Sequence, residues 1–136
     1  MEQSSDVTIA DYVAASQLLS LYGHLFDAKK WNELDQVFRE DCVVDYRDSG
    51  RERVVGLDSL REHMRDNPPT VISHMSTNLH VRREGDLLKA RSKLIAPLPD
   101  GTTLSGVYED VLCETTNGWR VAERIVRLRR SVDDTF

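Results

Sequence analysis

Between Thr70 and Arg130 the chain signals three reversals, "EGD", "LPDG" and "TNG", and each of the four segments they divide is long enough for an extended strand. This spacing predicts an antiparallel meander, whose sheet needs a cover on at least one face. The first half of the sequence supplies that cover. "TIADYVAASQLLSLYGHLF" sets Ile9, Val13, Leu18, Leu21, Tyr22 and Leu25 at three- and four-residue intervals and predicts a long first helix, with Thr8 and Asp11 resembling a capping box at its start. "WNELDQVFRED" repeats the interval through Trp31, Leu34, Val37 and Phe38 and predicts a second helix. "CVVDYR", "DSGR" and "ERVVG" read as a strand, a turn and a returning strand. "LDSLREHMRDN" carries Leu57, Leu60 and Met64 at helical spacing and stops before Pro68 and Pro69. The order predicts an α+β fold in which about three helices pack on one face of a curved sheet.

At 136 residues the chain suits one domain, 1–136, and no repeat, linker or low-complexity run divides it. With 18 Lys and Arg against 23 Asp and Glu, the net charge of -5 offers no positive field for a phosphate backbone, so nucleic acid is not an expected partner. Cys42 and Cys113 form no CxxC motif and read as free thiols of a reducing compartment. "MEQSSDVTIADY" lacks the pattern of a secretory signal, and no apolar run approaches the ~20 residues of a membrane span. The expectation is a soluble cytoplasmic protein that does not bind a membrane.

Few residues stand out as chemistry. On a regular helix Tyr22 and Asp27 lie about 140° apart, so both serve one site only if Asp27 sits where the helix ends. Two readings of Asp27 stand: a cap for the next helix, or a carboxylate aimed into the space under the first. Strict alternation along "VISHMSTNLHV" puts His74, Ser76, Asn78 and His80 on one side. His80 reads as a surface residue, and His74 as either a structural histidine or a base active near neutral pH. In "WRVAERIVRLRR" the same rule aligns Trp119, Val121, Glu123, Ile125 and Arg127, leaving Arg127 either to hold a substrate oxygen or to reach back to solvent. The four histidines form no HExxH or HxH arrangement, and phosphate-loop and GxSxG motifs are absent, so neither metal nor cofactor is expected.

The phrases "LLSLYGHLFDAKKWNELDQVFREDCVVDY", "SHMSTNLHV" and "GVYEDVLCETTNGWRVAERIVRLRR" resemble the SnoaL-like proteins of the nuclear-transport-factor-like cone fold, over roughly Asp6 to Arg130. The likeness is strongest to the branch of scytalone dehydratase and the bacterial bile-acid dehydratases. It implies a cone-shaped α+β barrel around a central cavity, with the family's catalytic tyrosine, aspartate and histidine at Tyr22, Asp27 and His74. It also implies that Arg127 binds substrate, and it departs from the scytalone enzyme in having Gly106, or a near neighbour, where that enzyme carries a second histidine.

The activity so implied is a cofactor-independent lyase that dehydrates a small, cyclic, apolar hydroxy ketone. Asp27 would orient His74, because a carboxylate that accepts from one imidazole nitrogen fixes the tautomer and makes the other nitrogen the base. The same proton shuttle also serves an isomerase or an aldol-type cyclase. An epoxide hydrolase and a non-catalytic binding or assembly subunit are further alternatives. The open sheet face of such folds implies a homodimer or homotrimer.

Overall fold

The computed structural model describes residues 6–136. Helix α1, Ile9–Asp27, opens with the expected capping box: Thr8 Oγ1 accepts from the Asp11 amide at 3.0 Å, and the Asp11 carboxylate accepts from the Thr8 amide at 3.1 Å. Strand β1 is Phe38–Asp45 and β2 is Arg53–Val55, and helix α2 spans Leu57–Asp66. The meander follows as β3, Met75–Glu84; β4, Leu87–Pro97; β5, Thr103–Thr115; and β6, Gly118–Arg129.

The expected second helix is cut short. Only Trp31–Gln36 is helical, as a 3-10 turn, and the chain is extended from Phe38. Phe38 pairs with Val121 of β6, and burying Phe38, Cys42 and Val44 in the ladder outweighs the helical spacing of the segment.

The six strands form one mixed sheet in the order β2-β1-β6-β5-β4-β3, parallel only where β1 meets β6. The sheet stays open at β2 and β3, so the expected barrel is not closed. Its inner face shows period two along β4, where Leu88, Ala90, Ser92, Leu94 and Ala96 are all buried. Against that face α1 lays Ala15, Leu18, Leu19, Tyr22, Leu25 and Phe26. Each large apolar side chain so buried contributes about 1.5–3 kcal/mol, and together they hold the helix on the sheet.

Two bulges reset the alternation within the meander, and β1 shifts register against β6 between Phe38 and Val43. In β3 the register shifts between Thr77 and His80, with Asn78 in the left-handed region at φ 53°. Ser76 therefore pairs on the inner face with Leu94, whereas His80 pairs with the exposed Arg91 on the outer face. In β6, Val111 pairs with Glu123 and Leu112 with Val121, which leaves Ala122 as the extra residue. Beyond it the inner row is Arg124, Val126 and Leu128, and Arg127 turns outward.

Candidate active site

The last turn of α1 builds the site. Residues four apart on a helix stack into ridges, so Tyr22 with Phe26 and Gly23 with Asp27 form two neighbouring ridges with a groove between them. The chain ahead of β3 docks there. Gly23 permits the approach, since a Cβ at residue 23 would lie 2.8 Å from the His74 carbonyl oxygen. The His74 ring meets Tyr22 and Phe26 edge-on, with centroids 6.1 and 5.9 Å apart.

Asp27, the final residue of α1, grips His74 twice. Its carboxylate accepts from the His74 amide at 3.0 and 3.2 Å and contacts Nδ1 at 2.6 Å. A carboxylate only accepts, so Nδ1 carries the ring proton and Nε2 is left as the basic nitrogen. The 140° between Tyr22 and Asp27 is thus no obstacle, because the imidazole sits between their ridges. Asp27 reaches it from the rim: its side chain is 28% exposed and does not line the cavity, whereas that of His74 is 11% exposed and does.

The cavity, about 200 Å³, lies between the inner sheet face and the α-helices. Tyr22, Tyr46, Tyr108, His63 and His74 are among its polar groups, with Arg51 and Asn67 at one side, and Phe26, Val71, Leu94, Leu104, Val126 and Leu128 are among its apolar walls. Beneath Tyr22 lies a buried ion pair. Asp110 of β5 faces Arg124 of β6 across the ladder and accepts from Nε at 2.7 Å and from Nη2 at 2.9 Å, with both side chains fully buried. The guanidinium sits in the corner between two aromatic rings whose planes meet at 74°, 3.8 Å from the Tyr108 centroid and 4.1 Å from that of Tyr22.

Burial alone would lower the Arg124 pKa, but Asp110 more than offsets this, and the group stays charged above its ordinary range. Burial pushes the Tyr22 phenol up, while the Arg124 charge and Tyr108 pull it back. Tyr46 and Tyr108 are raised further, again by burial first. All three tyrosines are therefore neutral hydroxyls able to donate.

Of the residues singled out by sequence, Tyr22, Asp27 and His74 are brought together. Arg127 is not. The β6 bulge turns it to the outer face, where Nη2 pairs with Glu109 at 3.4 Å and the side chain is 40% exposed. Arg124 occupies the inner face in its place. Gly106 also has a steric reason: a Cβ there would lie 2.7 Å from the Arg127 carbonyl oxygen, so no histidine fits without moving β6.

Tyr46, His63, Tyr108 and the Asp110–Arg124 pair were not singled out. The signal for Asp110 was its place in the alternating row of Tyr108 and Leu112 on β5, whereas Arg124, beyond the β6 bulge, gave none. His63 follows Leu60 by three residues, on the buried face of α2. Among the described residues, no group of three or more His, Cys, Asp and Glu is arranged to hold a metal ion, and no helix is long and apolar enough to cross a membrane.

An open α+β sheet covered on one face by helices, with a small cavity under the first helix, is the architecture of the NTF2-like, cystatin-like folds. The SnoaL-like domain matches residues 7–125, and the chain belongs to that family. An uncharacterized protein of Mycobacterium tuberculosis is 30% identical over 130 residues, spanning 86% of this chain and 84% of its own. An NTF2-like protein of Novosphingobium aromaticivorans superposes with a TM-score of 0.78 at 20% identity, over 93% of this chain and 85% of its own. A second protein of that organism, provisionally named a scytalone dehydratase, superposes with a TM-score of 0.74 at 19% identity, over 94% of this chain and 90% of its own.

Proposed function

We propose that the chain is a cofactor-independent dehydratase acting in the cytoplasm on a small cyclic β-hydroxy ketone. The observation that carries this reading is the 2.6 Å contact between Asp27 and His74 Nδ1 at the wall of a cavity that also holds Tyr22. His74 Nε2 takes a proton from the carbon next to the carbonyl, a step in which a positioned base contributes about 10²–10⁴ in rate. Tyr22 donates to the carbonyl oxygen and stabilises the enolate, and the buried Arg124 charge behind its ring favours that donation. The enolate electrons then form the double bond as the β carbon–oxygen bond breaks, and the departing hydroxyl takes back the proton held on His74 Nε2 and leaves as water, so one histidine serves both steps. The apolar walls favour a ring over a charged chain.

The test is dehydration, followed by absorbance, of 3-hydroxycyclohexanone to its enone and of the bicyclic analogue 3-hydroxy-1-tetralone to 1-naphthol. His74→Ala and Asp27→Asn are each expected to lower it by about 10² or more. Folded variants that keep full turnover would refute the mechanism.

We further propose that the working form is a homodimer through the outer face of β3–β6, supported by the charge layout of that face. In one cross-strand row, Arg82 of β3 and Lys89 of β4 lead through Val111 of β5 to Glu123 of β6. A two-fold axis near Val111 sets the cations of one copy over the carboxylate of the other.

A further inference from the structure

The cavity holds a second imidazole that the scheme above does not use. His63, on α2, lines the same space as His74, and its side chain is only 5% exposed. Its surroundings repeat the logic of the first pair. Nδ1 lies 3.1 Å from Glu52 Oε1, so the carboxylate again occupies one ring nitrogen and leaves Nε2 as the nitrogen available to a molecule in the cavity. The ring is stacked on Tyr46 with centroids 5.1 Å apart and planes 9° from parallel, and the Tyr46 hydroxyl is itself held 3.7 Å from Met64 Sδ on the next residue of α2. Arg51, beside Glu52 in the chain, bonds to Asn67 at the end of α2, closing the loop over this side of the cavity.

The two carboxylates differ from the two rings. Glu52 is 71% exposed while the His63 it contacts is buried. A histidine that only filled the core needs no surface carboxylate on one nitrogen and no cavity at its other edge. A proton relay needs both, since each turnover must reload it from solvent.

Resting on the dehydratase reading, we propose that His63 is the general acid of the reaction and His74 the base, a division of labour in place of one histidine serving both steps. His74 Nε2 accepts the α proton. The enolate electron pair becomes the carbon–carbon double bond while the β carbon–oxygen bond breaks, and its electron pair takes the proton from His63 Nε2, so the oxygen leaves as water. The cycle closes when His74 Nε2 releases its proton to solvent and His63 Nε2 regains one from solvent, while the Nδ1 proton of His63 stays hydrogen-bonded to the exposed Glu52.

The two halves separate experimentally. Cyclohexanone has an acidic α proton and no leaving group, so its deuterium incorporation in D₂O, followed by NMR, reads the base alone. Enone formation from 3-hydroxycyclohexanone reads base and acid together. His63→Gln is expected to lower enone formation about 10²-fold relative to deuterium incorporation, whereas His74→Ala lowers both. Glu52→Gln, which leaves the imidazole in place, is expected to give the same selective loss more weakly and decides the matter if His63→Gln does not fold. Equal loss of both readouts, or unchanged enone formation, overturns the role of His63. Wild-type protein that exchanges deuterium but forms no enone also overturns it while sparing His74 as a base. Failure of both reactions in the wild type removes the dehydratase reading and this proposal with it.

Discussion

Gly23 is the residue on which the geometry of the site turns. Elsewhere in a helix interior, replacing Gly by Ala gains about 1 kcal/mol. Here the new methyl would meet a backbone carbonyl 2.8 Å away, which cannot rotate aside as a side chain can. Gly23→Ala is therefore expected to lose about 1 kcal/mol net in urea unfolding and to cut deuterium exchange into cyclohexanone more than tenfold, because His74 is pushed off Asp27. A neutral effect on both measurements would show that the close approach is not needed. Arg124 sets a different balance. Arg124→Met strands the Asp110 carboxylate in the core and should cost about 3–5 kcal/mol, whereas Arg124→Met with Asp110→Leu should recover most of it, as replaced buried ion pairs commonly do. Urea midpoints of the single and double variants decide between these outcomes. Tyr22, Asp27 and His74 were legible only through the family resemblance, since the local pattern left Asp27 as readily a cap and His74 as readily a structural histidine. Arg124 was hidden, since one extra residue in β6 exchanges the faces of everything after it, and a bulge leaves no mark in the alternation itself.

At the scale of elements, the long helix, the hairpin, α2 and the four meander strands follow from periodicity and turn chemistry. The segment after Trp31 does not. Its apolar residues fit a helix and a buried strand alike, and only pairing with β6, which is distant in sequence, settles the choice. The start of α1 depends on another distant partner. Asp11 caps the helix and also pairs with Arg83 of β3 at 2.8 Å, and these contacts hold its carboxyl below the ordinary carboxylate range. A pKa lowered by folding means a contribution that is whole above the unfolded value, about 4, and is lost as the pH falls through the folded one. Arg83→Met is accordingly expected to lower stability by about 1 kcal/mol at neutral pH. The difference from wild type should narrow below about pH 4 and close once Asp11 is protonated in both proteins. Urea midpoints measured across that range follow it, and a gap that persists in acid would assign the loss to packing instead.

For the whole molecule, the α+β class was legible because the chain has enough apolar helix to cover one face of its sheet and not two. The uncovered face is consequently polar, with His80, Arg82, Lys89 and Arg91 on β3 and β4 and Glu109, Glu123 and Arg127 on β5 and β6, where Glu109 is already paired with Arg91 and Arg127 and Glu123 is the acid left to the row. Sequence alternation alone misplaced this pattern, because each bulge moves a row of charges from one face to the other. In the proposed dimer the cationic end of the Arg82–Lys89–Val111–Glu123 row would face the acidic end of the copy's row, and surface charges of this kind act over about 10 Å at moderate salt. Light scattering behind size exclusion is expected to find a dimer at low salt that shifts toward monomer at about 1 M, where screening shortens the range to ~3 Å. Lys89→Glu should give monomer at every salt concentration, since it sets like charges against Glu123 across the axis. Lys89→Glu combined with Glu123→Lys restores opposite charges and should restore the dimer. Because both variants alter the same face, only a real two-fold contact distinguishes them, and a double variant that stays monomeric would place the association elsewhere.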